Sequence, residues 1–132
     1  IDVIFDVAHN PDAIAKLREF LDESVVRHPT VAVFGVMSDK DCYRMISILD
    51  SVFDLWCLPQ GIGGARGMDP EAISAMIPGV SAVFESFPHA WSAALHHVGD
   101  RGRIVVFGSF FTVGEGMRVL SAKPLDRLRL GL

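Results

Sequence analysis

Cysteines and long apolar runs are scarce in this sequence, and each shortage excludes a class of protein. The 132 residues include only two cysteines, Cys42 and Cys57, which form neither a CxxC nor a CxxH spacing. This excludes a disulfide-rich secreted scaffold and a zinc ribbon, and it favours buried thiols in a reducing compartment. No apolar run reaches the ~18–20 residues of a membrane span, and the first residues lack the basic-then-apolar pattern of a signal peptide. We therefore expect a cytoplasmic protein with no membrane partner.

Basic residues are also few. The sequence has 12 Lys and Arg against 16 Asp and Glu, which gives a formal net charge of −4. Binding to nucleic acid requires a basic face that displaces counterions from phosphates, so we expect no nucleic-acid partner. Half of the residues are hydrophobic, and at this length about two-thirds of the unfolded chain's surface can be buried. The composition is that of one globular domain, which we expect to be a monomer.

The chain has no initiator methionine. Ile1 stands close to the first apolar run, with no leader before it. We therefore expect the sequence to be a fragment of a longer protein, and part of the function to belong to the rest of that protein.

Five short apolar runs alternate with segments of helical periodicity. The runs are residues 3–5, 31–34, 55–58, 82–84 and 104–107. Most are apolar throughout, which is typical of parallel strands covered on both faces. Five β-α units predict an α/β, Rossmann-like fold, with a mostly parallel open sheet and helices on both faces. We expect one domain over residues 1–121 and a C-terminal tail over residues 122–132.

Polar residues mark the starts of several predicted helices. Asn10 precedes Pro11 and is expected to cap the first helix. Ser38 and Asp41 have the spacing of a capping box before the second, and the fifth is expected to follow Ser109. These signals place the loops that follow the predicted strands.

In doubly wound sheets, ligands bind beyond the carboxyl ends of the strands, so the loops there are the expected site. Asp6 is interpreted either as a cap of its own loop or as an acceptor for ribose hydroxyl groups. His9 is either a loop histidine satisfied by its neighbours or a donor to phosphate or carboxylate, because it stands beside a helix N-terminus. Both alternatives stay open at this point.

Three further loops carry weaker signals. Residues 38–41 read most simply as a helix cap with a solvated Lys40. The glycine-rich residues 61–67 fit neither the dinucleotide-binding signature nor the P-loop signature. At most they predict a loop that brings Arg66 close to a bound anion. In residues 108–110, the Ser109 hydroxyl can bind a carboxylate. Catalytic carboxylate pairs, nucleophile motifs and metal sites are not indicated, and neither His28 nor His89 has a partner at metal-ligand spacing.

Three motifs in order resemble one known family. Residues 6–11, D-V-A-H-N-P, match the motif that opens the C-terminal domain of folylpolyglutamate synthases and Mur peptide ligases. Residues 35–41, G-V-M-S-D-K-D, and residues 108–113, G-S-F-F-T-V, resemble the folate branch. Together they cover nearly the whole chain and point to the C-terminal domain of bacterial bifunctional dihydrofolate synthase/folylpolyglutamate synthases, within the Mur ligase superfamily.

The resemblance implies a part of an ATP-dependent ligase. ATP would phosphorylate the carboxylate of dihydropteroate or folate, and the amine of L-glutamate would attack the acyl phosphate. The P-loop and the Mg²⁺ ligands would belong to an N-terminal domain absent from this chain, which would hold no catalytic or metal-ligating residue and would be inactive alone. The N-terminal domain of the same protein would be its partner, and the present domain would act as a lid that closes over ATP and helps to hold the incoming glutamate.

The resemblance also implies roles for individual residues. Asp6 would bind the ATP ribose, and His9 would lie near the phosphates and the glutamate. Ser109 would contact the amino-acid carboxylate, and Phe110 would shape that pocket. Lys40 and Arg66 would be weaker candidates for contacts with anions. The alternatives are a Mur-type peptidoglycan precursor ligase and a non-catalytic nucleotide-binding α/β module.

Overall fold

Strands and helices alternate along the chain. The computed structural model describes residues 1–25, 28–125 and 129–131. In chain order the elements are β1 (Asp2–Asp6), α1 (Pro11–Glu23), β2 (Thr30–Phe34), α2 (Cys42–Ile48), β3 (Leu55–Pro59), a short 3₁₀ helix (Gly64–Arg66), α3 (Pro70–Met76), β4 (Ser81–Phe84), α4 (Phe87–Val98), β5 (Arg103–Phe107), α5 (Phe110–Ala122) and β6 (Arg129–Gly131).

All pairings between the strands are parallel. The strands form one sheet in the order β4-β3-β2-β5-β1-β6. The predicted α/β class and the five predicted strands are confirmed. β5 lies at the centre, between β1 and β2, and its last residue Phe107 is in register with Asp6 and Phe34. The carboxyl ends of these three strands therefore meet at one edge.

The helices cover both faces of the sheet, as predicted. Apolar residues of α1, α2 and α3 share one buried cluster with Phe34 and Phe107. Those of α4 and α5 share a second cluster with Phe5 and Val106. Alternate residues of a strand point to opposite faces, so the strands β1 to β5 each contribute residues to both clusters, and this explains why these strands are largely apolar. Within the described ranges, no helix has the length and apolar character needed to cross a membrane.

Two of the predicted helix caps are present and one is wrong. Asn10 and Ser109 cap α1 and α5 by accepting from the backbone N–H three residues ahead. α2 begins at Cys42, and its cap is Asp41, whose Oδ1 accepts from the N–H of Arg44 at 3.2 Å. Ser38 does not cap this helix, because it lies in a turn closed by a hydrogen bond from Lys40 N to the Met37 carbonyl oxygen.

The sheet continues into the segment that the sequence assigns to a tail. β6 pairs in parallel with β1, with Arg129 opposite Asp2 and Gly131 opposite Ile4. A strand of three residues is too short to show a periodicity, so the sequence pattern did not predict it. Residues 129–131 therefore extend the sheet past residue 121.

Candidate functional site

Along the sheet, the connections that follow the strands change face on both sides of the central strand β5, and once more between β3 and the edge strand β4. The helices that follow β1, β2 and β3 lie on one face, whereas those that follow β4 and β5 lie on the other. In open parallel sheets a crevice forms at the carboxyl ends of neighbouring strands whose connections leave on opposite faces. The loops after β1, β2 and β5 are therefore the expected walls of a binding site. They contain most of the residues that the sequence singled out.

The loop after β1 is held by its own polar side chains. Oδ1 of the half-buried Asp6 accepts from the N–H of Ala8 at 2.8 Å. His9 Nδ1 lies 3.0 Å from the carbonyl oxygen of Val7, and because a carbonyl only accepts, Nδ1 carries the hydrogen. Nε2 of the neutral ring is then an acceptor, and it becomes a donor when the ring is protonated. Asp6 thus caps its loop with one of its two carboxylate oxygens.

The loops after β1 and β5 meet through two rings. The centroids of His9 and Phe110 are 6.1 Å apart, with their planes tilted by 38°. Phe110 is 69% exposed, which is unusual for a phenylalanine, and it lies in the first turn of α5. Two residues that the sequence named separately are thus neighbours at the edge of the sheet.

Ser109 is placed differently from what its predicted role suggests. It is buried, and its hydroxyl oxygen accepts from the N–H of Thr112 at 3.1 Å and lies 2.9 Å from Thr112 Oγ1. Because Thr112 donates its own hydroxyl hydrogen to the carbonyl oxygen of Gly35, Ser109 must donate to Thr112. The Ser109 hydroxyl can therefore donate to a carboxylate only by giving up this bond.

The close approach of two loops requires glycine at position 108. Gly108 has φ of +113°, a conformation that other residues rarely adopt. A Cβ atom there would also overlap the carbonyl oxygen of Gly35. The loop after β5 therefore packs directly on the loop after β2, and this contact positions Ser109 and the start of α5.

Lys40 and Arg66, which come from separate loops, line one open pocket of about 400 Å³. The other lining residues are Met37, Ser38, Asp39 and Phe111. The two loops are joined by backbone hydrogen bonds, from Ser38 N to the Arg66 carbonyl oxygen and from Met68 N to the Val36 carbonyl oxygen, both 2.9 Å. Sequence reasoning missed Met37 and Phe111, because nothing in their local pattern separates a pocket wall from a core position.

The fourth strand-end loop lies apart from this group. Residues 85–86 follow β4, at the edge of the sheet farther from β1. There His89 Nε2 lies 3.3 Å from Glu85 Oε1, and elsewhere His28 Nδ1 lies 3.4 Å from Asp54 Oδ2. Neither histidine was expected to have a partner at metal-ligand spacing, and in the structure each has one carboxylate neighbour. Both pairs are exposed, and among the described residues no group of three or more potential ligands surrounds either one.

Neither cysteine is suited to act as a nucleophile. Burial raises the pKa of the Cys57 thiol to about 12. Burial, with a smaller contribution from the Asp41 carboxylate, also raises the pKa of Cys42 to about 12. Both side chains stay protonated at neutral pH and belong to the core, as the sequence indicated.

Comparison with known proteins agrees with this architecture. The chain is 36% identical over 122 residues to the dihydrofolate synthase/folylpolyglutamate synthase of Escherichia coli strain K12, covering 92% of this chain and 28% of that protein. It therefore spans little more than a quarter of that relative's length.

Solved structures give the same picture. E. coli FolC in complex with DHPP and ADP superposes with a TM-score of 0.84 at 35% identity, covering 93% of this chain and 29% of that one. A bifunctional folylpolyglutamate synthase/dihydrofolate synthase with Mn, AMPPNP and L-glutamate bound gives a TM-score of 0.78 at 31% identity, covering 88% and 28%.

One family model matches nearly all of the described sheet and the edge where its loops meet. It is described as Mur ligase, glutamate ligase domain, and it covers residues 1–110, from the residue before β1 to the first residue of α5. With its parallel sheet and its ordered strand-end loops, the chain belongs to the glutamate ligase domain family of the Mur ligases.

Proposed function

We propose that this chain is the C-terminal domain of an ATP-dependent ligase that adds L-glutamate to dihydropteroate and to tetrahydrofolate. The observation that carries the proposal is the meeting of the loops after β1, β2 and β5 at the point where the connections change face. The family match supports it, as do relatives named for both activities. In this proposal the domain works in the cytoplasm, within a monomeric enzyme.

The proposed reaction has two steps. The terminal phosphoryl group of ATP passes to the carboxylate of the acceptor, which gives an acyl phosphate and ADP. The amine of glutamate then attacks the acyl carbon, so an amide bond forms, phosphate leaves and the amine loses a proton. The catalytic groups for phosphoryl transfer belong to the N-terminal domain of the parent protein, as does the Mg²⁺ site, and Mg²⁺ supplies charge neutralisation at the phosphates when bound.

In this proposal, the domain binds part of the nucleotide and the incoming glutamate, and it closes the site that the N-terminal domain leaves open to solvent. Asp6 fits a ribose, because its second carboxylate oxygen remains to accept hydroxyl hydrogens while the first holds Ala8. His9 lies beside the N-terminus of α1, where free N–H groups favour anions. In this proposal it therefore lies near the phosphates and the incoming glutamate.

The remaining proposed contacts shape the amino-acid site. Phe110, exposed and against His9, forms one wall. Ser109 contributes through the helix start that it holds, and it reaches a carboxylate directly only after releasing Thr112. Lys40 and Arg66 provide positive charge in the adjacent pocket.

Phosphate release by the full-length parent protein, with ATP and Mg²⁺, tests the proposal. Three mixtures are compared: dihydropteroate with glutamate, tetrahydrofolate with glutamate, and a Mur-type nucleotide acceptor with its amino acid. Activity with both pterins supports the proposal, whereas activity only with the nucleotide acceptor assigns the parent to cell-wall synthesis. The 132-residue chain alone should release no phosphate above the blank, and robust turnover would contradict the split of the site between two domains.

A further inference from the structure

The outward face of α5 is apolar, although it lies on the surface of the domain. Phe110 is 69% exposed, Phe111 49% and Met117 46%. These are three of the eight large hydrophobic residues that are exposed in the described parts of the chain, and all three fall within about two turns of one helix. A contiguous apolar patch on a protein surface typically marks an interaction site.

Comparison with α1 shows how unusual this face is. Both helices have 13 residues and both pack on the sheet. α1 carries six charged residues, at positions 12, 16, 18, 19, 22 and 23, as is typical of a helix with one side in water. α5 carries only Glu115 and Arg118, which pair with each other at 2.9 Å. A helix that is apolar around most of its circumference is typical of an interior, so we expect α5 to be covered on its outward side.

Gly114 forms a notch in the middle of the outward face. Residues 110, 114 and 117 lie on the same side of the helix, because positions three and four apart are neighbours along its surface. A Cβ atom at Gly114 would meet no atom of the described chain within 4 Å. The space above the backbone is therefore open between Phe110 and Met117, and a side chain from a partner can enter it and contact both residues.

The chain cannot cover this face by turning α5 over. The inward face carries the buried residues Thr112, Val113 and Gly116, and the helix packs on β1, β5 and α4. Rotation of the helix would expose Val113 and break the 2.7 Å hydrogen bond from Thr112 to the carbonyl oxygen of Gly35. The cover must therefore come from outside the described residues.

The missing part of the parent protein is the occupant that these observations favour. The chain spans 28% of its E. coli relative and 29% of the solved FolC chain, so most of each relative lies outside it. The outward face begins at Phe110, beside the proposed site, and runs about 10 Å along the helix to Met117. A domain that meets the edge of the proposed site therefore also reaches this face. The Glu115–Arg118 pair leaves the face without net charge, which suits an apolar protein surface.

We propose that the outward face of α5 is the docking surface for the N-terminal domain of the parent protein, and that a side chain of that domain fills the notch at Gly114. This inference rests on the proposed function in one respect, that the parent has such a domain. Docking on α5 fixes the start of this helix, and with it Phe110 and the neighbouring His9, relative to the other half of the site.

Photocrosslinking of the full-length parent protein tests the inference without relying on activity. Met117→p-benzoylphenylalanine places a photoreactive ketone on the face. The control is Val80→p-benzoylphenylalanine, at a residue that is 65% exposed and precedes the edge strand β4. After irradiation with ATP and Mg²⁺, digestion and mass spectrometry of the monomeric band, position 117 should be joined to peptides of the N-terminal domain, and position 80 should not. Crosslinks from position 117 only to a second molecule, no crosslinks from it, or equal crosslinking from both positions would overturn the inference.

Filling the notch gives a second test. Gly114→Leu should not lower the urea unfolding midpoint of the 132-residue chain, because the space around position 114 is open. In the full-length protein it should lower kcat/KM for glutamate by about tenfold or more, since the added side chain occupies the place of the partner's. Ala15→Leu is the matched control, because it makes a similar addition at an exposed position of α1, and it should change neither quantity.

Wild-type kinetics in the Gly114→Leu protein would show that no side chain fills the notch. The failure of this inference is distinct from that of the proposed function. If the parent protein has no ligase activity with either pterin but position 117 is still joined to its N-terminal domain, the proposed reaction is wrong and the docking surface stands. If the parent is active but position 117 is not joined to that domain, the reaction stands and the docking surface is wrong.

Discussion

The Thr112 hydroxyl group donates a 2.7 Å hydrogen bond to the carbonyl oxygen of Gly35. This bond joins the first turn of α5 to the residue that follows β2, across the end of the central strand β5. Thr112 is fully buried, and its backbone N–H and hydroxyl oxygen both bond to Ser109. One side chain therefore ties together two of the loops that form the proposed site.

Thr112→Val should destabilise the chain by about 1–3 kcal/mol, because it keeps the shape but leaves the Gly35 carbonyl oxygen without its donor and the Ser109 hydroxyl hydrogen without its acceptor. The free energy of unfolding of the 132-residue chain in urea measures the effect. Thr112→Ser is the control, since it retains the hydroxyl group and should lose less. Equal stability of the valine variant and the wild type would show that the bond contributes nothing net.

Asp6 has two roles in the proposed site, to hold its own loop and to bind the ribose, and different substitutions distinguish them. Asp6→Asn keeps an oxygen to accept from the N–H of Ala8 but removes the charge and the second acceptor that a ribose needs. In the full-length protein it should raise the KM for ATP by about tenfold, with little change in thermal stability. Asp6→Ala should raise that KM and also loosen the loop.

Asp100→Asn provides the comparison for the Asp6 variants, because Asp100 is exposed in the turn before β5, at the amino ends of the strands. It should leave the KM for ATP unchanged. An unchanged KM in both Asp6 variants would remove Asp6 from the nucleotide site.

Local signals in the sequence predicted much of the fold. Asn10 and Ser109 are caps because their side chains bond within three residues of themselves, and such bonds depend on nearby sequence alone. Ser38 failed as a cap because its backbone N–H bonds to Arg66, which is distant in sequence. Val25 continues the helical spacing of Leu17 and Leu21, but α1 ends at Glu23 and Val25 is 75% exposed.

The juxtapositions within the site needed the structure or the family resemblance. His9 and Phe110 are 101 positions apart and become neighbours only because β1 pairs with β5. That pairing is one of several strand orders that the same β-α pattern allows. Lys40 and Arg66 likewise line one pocket because backbone hydrogen bonds join their two loops. The amino-acid composition of neither loop indicates these bonds.

Two glycines inside α5 should respond oppositely to the same substitution. Around Gly114 a Cβ atom would have open space, so Gly114→Ala should stabilise the chain by about 0.5–1 kcal/mol through helix propensity. At Gly116 the added Cβ atom would lie 2.7 Å from Phe5 Cε1. Gly116→Ala should therefore destabilise it by about 1–3 kcal/mol. Urea unfolding midpoints measure both, and shifts of the same sign would contradict the packing of α5 on β1.

The buried thiols make stability depend on pH above neutrality. In the folded chain the pKa values of Cys42 and Cys57 are about 12, whereas the pKa of a thiol in an unfolded chain is about 8.5. Their contribution is therefore fully present below about pH 8.5 and is lost as the pH rises toward 12, with a slope of up to about 1.4 kcal/mol per pH unit for each thiol. Urea unfolding between pH 8 and 10.5 should show this slope in the wild type and a shallower one in the Cys42→Ala, Cys57→Ala double variant. The cavities left by alanine lower stability equally at every pH, and all other side chains are the same in both proteins. Parallel curves would therefore mean that the thiols ionise alike in the folded and unfolded chains.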